Sequence, residues 1–465
     1  MLRQMNFYGR RGAVAAAIAL LASCGGGGGG NGSGFFPITG PAPAPTQPEV
    51  TPVIARHTVS GTVTGLVGSL VLQSNAGDDL TLTADGKFTF ATAIAEGSAF
   101  AVSVRTQPFW QFCVVTKGIG TVTADVADVA VSCSAAVAEV STLAGSGAFG
   151  ALDGNGTAAT FADPYGIVVD KNGGLIVSDV GRNRVRKITA DGNVTTFAGN
   201  NTTATVDGNG TAASFNSLTA IALAPSGDLY AAEFIGNRIR RITPAADVTT
   251  FVGTGAGGSV DGNAASATFT GPIAMTLDGA GNIYLAELNT ALIRKITPSG
   301  DVTTLAGSGG FGFADGTGAA ASFARPYGIA ADAAGNLFVA DSDNNRIRKV
   351  TPAGVVTTFA GSGAAGAADG AAAIASFQRP GGVAFDTAGN LYVADTGNSI
   401  LRKITPQGEV STVAGQAGAM GSQNGIGAAA RFSEPSGVAV GTDGTIYVAD
   451  TLGNRIRKVA PVGAP

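Results

Sequence analysis

Charge is scarce in this chain. Of 465 residues only 60 are Asp, Glu, Lys or Arg, about half the usual share, and they leave a formal net charge of -4. No run of Lys or Arg is long enough to form a phosphate-binding stripe, which argues against a nucleic-acid partner. Histidine and cysteine are scarcer still: His57 is the single His, and Cys24, Cys113 and Cys133 are the three Cys. Residues 140–465 contain neither type. That absence excludes a Ser-His-Asp triad, a His-based zinc site and a thiol nucleophile from the larger part of the chain. The one Trp, Trp110, follows Pro108 and Phe109 and reads as a loop or surface anchor; His57 reads as a solvated residue at a domain edge. What is plentiful is glycine, 71 residues, and apolar side chains, 45%. The glycines lack the period of three that a collagen-like chain needs, and the apolar fraction allows a large core.

The N-terminus reads as an address. Arg3, Arg10 and Arg11 precede the apolar stretch Ala13 to Ala22, too short for a membrane span and suited to a signal peptide over residues 1–23. Leu21-Ala22-Ser23-Cys24 resembles the bacterial lipoprotein processing box, which implies acylation of Cys24 and, with Gly25 following, the outer membrane of a Gram-negative cell. The six glycines Gly25 to Gly30 and the prolines from Pro37 to Pro52 then form a tether over residues 24–55.

Residues 56–135 alternate as β structure does, for example Thr58-Val-Ser-Gly-Thr-Val, Lys87-Phe-Thr-Phe and Val129-Ala-Val-Ser, with Gly, Asn and Asp turns between. Six or seven short strands predict a small β-sandwich. Cys113 and Cys133 are expected to pair in an exported compartment. The segment resembles the short Ig-like modules that follow the tether in many bacterial lipoproteins.

Beyond residue 140 one unit repeats six times. Arg186, Arg240, Arg294, Arg348, Arg402 and Arg457 recur at steps of 54, 54, 54, 54 and 55. The same steps separate Phe161, Phe215, Phe269, Phe323, Phe377 and Phe432, and the acids Asp179, Glu233, Glu287, Asp341, Asp395 and Asp450. Each unit reads as four short strands, so the expected fold is all-β: a six-bladed β-propeller over residues 140–465, behind the small sandwich. The sixth unit ends after three strands, and Val140-Ser-Thr-Leu-Ala-Gly stands before the first as an orphan fourth. Together they predict a shared blade that closes the ring and removes an exposed sheet edge.

The pattern Pro326-Tyr-Gly-Ile, Asn336-Leu-Phe-Val-Ala-Asp, Asn345-Arg-Ile-Arg-Lys and Val356-Thr-Thr-Phe-Ala-Gly resembles the NHL repeat. The resemblance implies a propeller and leaves the activity open, because the family includes envelope scaffolds, RNA-binding proteins and lyases. The antibiotic-lyase and peptide-amidating relatives depend on His, which this propeller lacks.

Strand alternation places the fourth-to-first loops and the second-to-third turns on one face of the ring, the expected site. Its long loops carry Asp153, Asp207, Asp261, Asp315 and Asp369, each before Gly, with Asn424 in the sixth unit. Such a ring suits Ca²⁺ chemically, but Asp-Gly is also ordinary turn chemistry, so no cofactor is assigned and Ca²⁺ stays open. The opposite face offers only short turns. Cross-strand ion pairs are expected between Asp179 and Arg184, Glu233 and Arg238, Asp341 and Arg346, and Asp450 and Arg455. Leu292 and Ile400 interrupt that series and leave Glu287 and Asp395 as candidate ligands or bases, unless Arg294 and Arg402 satisfy them. The expected function is a non-catalytic, monomeric scaffold for a protein, peptide or glycan at the cell envelope. A Ca²⁺-dependent lactonase-like or lyase-like enzyme is the alternative.

Overall fold

The computed structural model describes residues 53–463; Cys24, the signal segment and most of the tether lie outside the described residues. Among the described residues there are strands and single turns of 3-10 helix, and no helix long and apolar enough to cross a membrane.

The first module is two four-stranded sheets on one core. One sheet runs Gly86–Thr89, Val59–Thr64, Val126–Ala135, Gln111–Thr116; the other Asp78–Leu82, Leu70–Ser74, Ala99–Thr106, Ile119–Thr121. Alternation sorts the side chains, so that Val59, Val63, Leu70, Leu72, Val129 and Val131 are buried between the sheets. Cys113 and Cys133 lie directly opposite on antiparallel strands and form a disulfide. Trp110 is an anchor toward the propeller: its indole N–H donates to the Gly444 carbonyl at 3.1 Å, and its ring lies 6.3 Å from that of Tyr392. Phe109 covers Gly444 beside it.

The propeller has six blades. Blade 1 runs Pro164–Val169, Leu175–Asp179, Arg184–Ile188, Asn193–Ala198 from the axis outward, all antiparallel. Blades 2 to 5 repeat this order. Blade 6 is assembled from both ends of the domain, because Val137–Ala144 pairs antiparallel with Arg455–Val462 as its fourth strand. The first strands follow one another round the axis, and that of blade 6 touches that of blade 1. A sheet that would otherwise end in open edges is thereby closed.

Each blade buries its apolar residues against the next. Phe161 is fully buried between Ile167 and Val177 of blade 1 and Tyr447 and Ala449 of blade 6, and the other five repeated Phe are as deeply buried. The second-to-third turns reach a left-handed conformation at Asn183, Asn237, Asn345 and Asn454, which asparagine tolerates better than most residues. These Asn also cross to the next blade: Asn183 Oδ1 accepts from the Leu218 amide and Asn454 Oδ1 from the Asp163 amide.

Candidate functional site

The long-loop face was the expected site, and its carboxylates are spent on the fold. Arg186 is fully buried inside blade 1. Its guanidinium donates to Asp179 at 3.0 Å and Asp153 at 2.8 Å, and to the carbonyls of Thr160 and Leu152. Asp153 also accepts from the Thr196 amide and hydroxyl. The long loop is therefore tied to the second and third strands through Arg186 and to the fourth through Asp153. Arg240, Arg294, Arg348 and Arg402 repeat the arrangement with Asp207, Asp261, Asp315 and Asp369, and in blade 6 Asn424 takes the place of the Asp. The five Asp-Gly loops thus do not present a vacant ring of oxygen ligands. Among the described residues no three His, Cys, Asp or Glu side chains gather as a metal-binding group.

The expected cross-strand ion pairs are corrected in the same way. Asp179 and Arg184 are opposite in register, as are Asp341 and Arg346. The acid nevertheless pairs with the arginine two residues further along the same face, which has no access to water and must be satisfied internally. Arg184, Arg238, Arg346 and Arg455 instead donate to loop carbonyls such as Ala151, Thr254, Ser362 and Ser146. Glu287 and Asp395 are not unpartnered: Arg294 holds Glu287, and Arg402 holds Asp395 at 3.1 Å. Burial pushes the carboxyls up, Asp179 to about 7 and Asp395 and Asp450 to about 6, against the pull of amide donors and arginine. For Asp153, burial also pushes upward, but Thr196 and Arg186 outweigh it and hold the carboxyl below its ordinary value.

A cavity of about 820 Å³ lies on the propeller axis. Its wall is the first strands of all six blades, with Ile167, Ile221, Met275, Ile329, Val383 and Val438 at one level. It extends to the turns after the first strands of blades 1 and 2, where Asp170, Lys171, Asn172 and the segment Ala224 to Gly227 form the rim. This is the short-turn face, which the sequence suggested had too little material to shape a pocket. The inner strands shape it instead. Toward the long-loop face, Tyr165 and Tyr327 come from blades 1 and 4, opposite members of the ring. Their rings meet edge to face with centroids 5.6 Å apart, and the Tyr165 hydroxyl donates to the Tyr327 carbonyl at 3.4 Å. The equivalent positions hold the smaller Thr219, Ile273, Gly381 and Ser436, leaving the axis to these two rings. Burial raises both phenol pKa values, so the pair is neutral at physiological pH.

Residues 161–188, 323–350, 377–403 and 432–459, in blades 1, 4, 5 and 6, match the NHL repeat. The propeller carries NHL repeats. The chain is 31% identical over 278 residues, 56% of its length, to the Arabidopsis thaliana protein SUPPRESSOR OF QUENCHING 1, chloroplastic, and spans 26% of that protein. It is 27% identical over 321 residues to human NHL repeat-containing protein 2, 61% of this chain and 44% of that one. Among solved structures, a Bacteroides thetaiotaomicron protein of unknown function superposes with a TM-score of 0.56 at 21% identity, covering 85% of this chain and 90% of that one. An auxiliary nutrient binding protein of the same organism superposes with a TM-score of 0.54 at 13% identity, covering 87% and 98%. These structural likenesses are likenesses of fold.

The cavity residues escaped the sequence reading. Tyr327 stands only within the pattern Pro326-Tyr-Gly-Ile, and nothing in the spacing singles out Lys187. A signal was nevertheless there, since Tyr165 and Tyr327 are the two large rings in a column of otherwise small or aliphatic residues.

Proposed function

We propose that the protein is a non-catalytic binding protein of the bacterial cell envelope, held at the outer membrane through Cys24, which carries a small apolar ligand in the axial cavity of its propeller. The observation that supports this reading is the cavity itself. Its volume falls within the range of about 300–1,000 Å³ usual for small-molecule sites, and aliphatic and aromatic side chains make up the larger part of its wall. Burial of the ligand's apolar surface drives binding at roughly 25 cal/mol per Å². Nutrient binding is also what the Bacteroides protein that shares the fold is named for. The test is calorimetry of the purified protein against apolar small molecules, with Thr276→Trp placed to fill the cavity from blade 3. Binding should be lost in Thr276→Trp and kept in Asp315→Asn. Binding unaffected by Thr276→Trp would refute the cavity as the site. Replacing Cys24 by Ser should release the protein from the membrane fraction; retention there would refute the anchor.

A second reading has its own observation. The long-loop face exposes Phe149, Phe311, Phe313 and Met420, each about half accessible, and such side chains suit a protein or peptide partner. Crosslinking from Phe311 would capture that partner, and its capture would be unaffected by Thr276→Trp.

A further inference from the structure

The repeat fails at one place beside the cavity. In the second strand, the residue two places after the turn Gly-Asn/Asp/Thr region is aromatic in five blades: Tyr230, Tyr284, Phe338, Tyr392 and Tyr447. Blade 1 has Ile176 there. The residue two positions earlier is Asn in blades 3, 4 and 5, and Gly174 in blade 1.

These two exchanges have linked consequences. In blade 3 the turn carboxylate Asp278 accepts from the Asn282 amide nitrogen at 2.8 Å and from the Tyr284 hydroxyl at 3.1 Å. In blades 4 and 5, Asn336 and Asn390 donate in the same way to Asp332 and Asp386. In blade 1 both donors are gone. Asp170 Oδ1 still accepts from the amides of Asn172 and Gly174, while Oδ2 accepts no hydrogen bond among the described residues. On the third strand, Lys295 and Lys349 lie over the aromatic ring opposite them, Tyr284 and Phe338. Lys187 is opposite Ile176 and has no such ring; its ammonium is 3.5 Å from the centroid of Phe197 instead.

The missing ring leaves space. Ile176, Lys187, Phe197, Leu223 and Pro244 all line the cavity, which therefore runs from the axis into a groove between blades 1 and 2. Every charged group lining the cavity belongs to blade 1: Lys187, Lys171 and Asp170, with a net charge of +1. Lys187 is half-buried and makes no ion pair among the described residues, and its surroundings include the Asp170 charge only at longer range. A half-buried ammonium without a close anion, at the end of an aliphatic cavity, is complementary to a ligand with an apolar body and one anionic group.

We propose that the cavity takes a single-chain amphiphile bearing a carboxylate, with its alkyl chain along the axis and its carboxylate on Lys187 in the groove between blades 1 and 2. This rests on the cavity reading given above and adds the ligand's chemical class and orientation. Phe197 and Pro244 flank the chain where it leaves the axis, and Ile176 supplies the floor that an aromatic ring would occupy.

The test compares dodecanoate, its methyl ester and dodecylammonium by calorimetry on the purified protein. Dodecanoate should bind about tenfold more tightly than the ester, and the ammonium most weakly. Lys187→Met should abolish the preference for dodecanoate over the ester while leaving ester binding unchanged, and Lys187→Arg should keep it. Ile176→Tyr restores the ring found in the other blades and so leaves the fold intact; it should weaken both dodecanoate and ester by about tenfold or more. Equal affinity for dodecanoate and ester, or a preference that survives Lys187→Met, would overturn the carboxylate assignment while leaving the cavity reading standing. Absence of binding by all three would overturn both.

Discussion

Blade 4 and blade 1 are built on the same four strands, and they differ where it matters for a ligand. In blade 4, Phe338 packs edge to face on Phe359 and Phe385, with centroids 4.8 and 5.0 Å away, and Asn336 clamps the turn carboxylate of Asp332. The space between blades 4 and 5 is filled. In blade 1, Ile176 and Gly174 stand at those places, and the axial cavity continues into the gap. A repeat fixes the backbone of every blade alike, so a side chain that departs from the repeat is where one blade acquires something the others lack. The cations teach the same lesson. Arg348 is enclosed by Asp341, Asp315 and loop carbonyls, whereas Lys187 faces the cavity without an ion pair among the described residues.

The largest effect that separates the two blades follows from those cations. Arg348→Leu leaves Asp341 buried without its partner, and breaking such a pair costs about 3–5 kcal/mol. Denaturant unfolding should show that loss, while Lys187→Met should change stability by less than about 0.5 kcal/mol. A loss below about 1 kcal/mol for Arg348→Leu would mean that the repeated arginine is not what ties the long loops down.

Next in size is an attempt to make blade 4 resemble blade 1. Phe338→Ile removes a buried ring and should cost about 2 kcal/mol, since the neighbours Phe359 and Phe385 can collapse only in part. It should also open a second groove with Lys349 at its end, detectable as a second site for dodecanoate. Unchanged stoichiometry would show that the ring alone does not decide whether the gap is open.

The buried acids respond to pH, and here too the blades differ. In blade 4, Asn344 Nδ2 donates to Asp341 at 2.8 Å; blade 1 has Arg182 at that position, and Arg182 lies over Phe149. Burial raises Asp179 to about 7, above the usual carboxylate value near 4 in the unfolded chain. The folded state then holds a proton that the unfolded state has released, so stability falls as pH rises through the folded pKa. Between pH 6 and pH 8 this amounts to a loss on the order of 1 kcal/mol from Asp179. Thermal melts should show a higher melting temperature at pH 6, and the Asp179 carboxyl resonance should titrate in that window. A carboxyl already ionised at pH 5 would show that Arg186 outweighs desolvation.

Much of the architecture was legible in the residues. Three registers, of Arg, Phe and acid, each recurring six times at steps of 54 or 55, specify six blades, and the orphan Val140 strand with the truncated last unit specifies how the ring closes. The pairing of Cys113 with Cys133 was also readable, because they are the two cysteines beyond Cys24 and an exported compartment permits their oxidation. The site was less legible for two physical reasons. Spacing shows that Asp179, Arg184 and Arg186 share a hairpin face, but which arginine takes the acid depends on which one water reaches, a property of the closed ring. The cavity likewise exists only once six inner strands surround an axis, so loop length pointed to the face opposite the one onto which the cavity opens. The departure at Ile176 is visible in the aligned repeats, but its meaning comes from what it opens.

The smallest change tests that departure from the other side. Gly174→Asn gives blade 1 the clamp of blades 3, 4 and 5. Gly174 is not in a left-handed conformation, and the atom nearest to an added Cβ is Asp170 Oδ2 at 2.9 Å, the end of a side chain that can turn. The new amide can donate to that oxygen, and replacing a strand-edge glycine also reduces the freedom of the unfolded chain, so a gain of about 0.5 kcal/mol is expected in denaturant unfolding. If the rim of the cavity works through its net positive charge, satisfying Asp170 leaves dodecanoate affinity as it was. If affinity instead rises severalfold, the Asp170 carboxylate was repelling the ligand, and blade 1 is a compromise between Asp170 and Lys187.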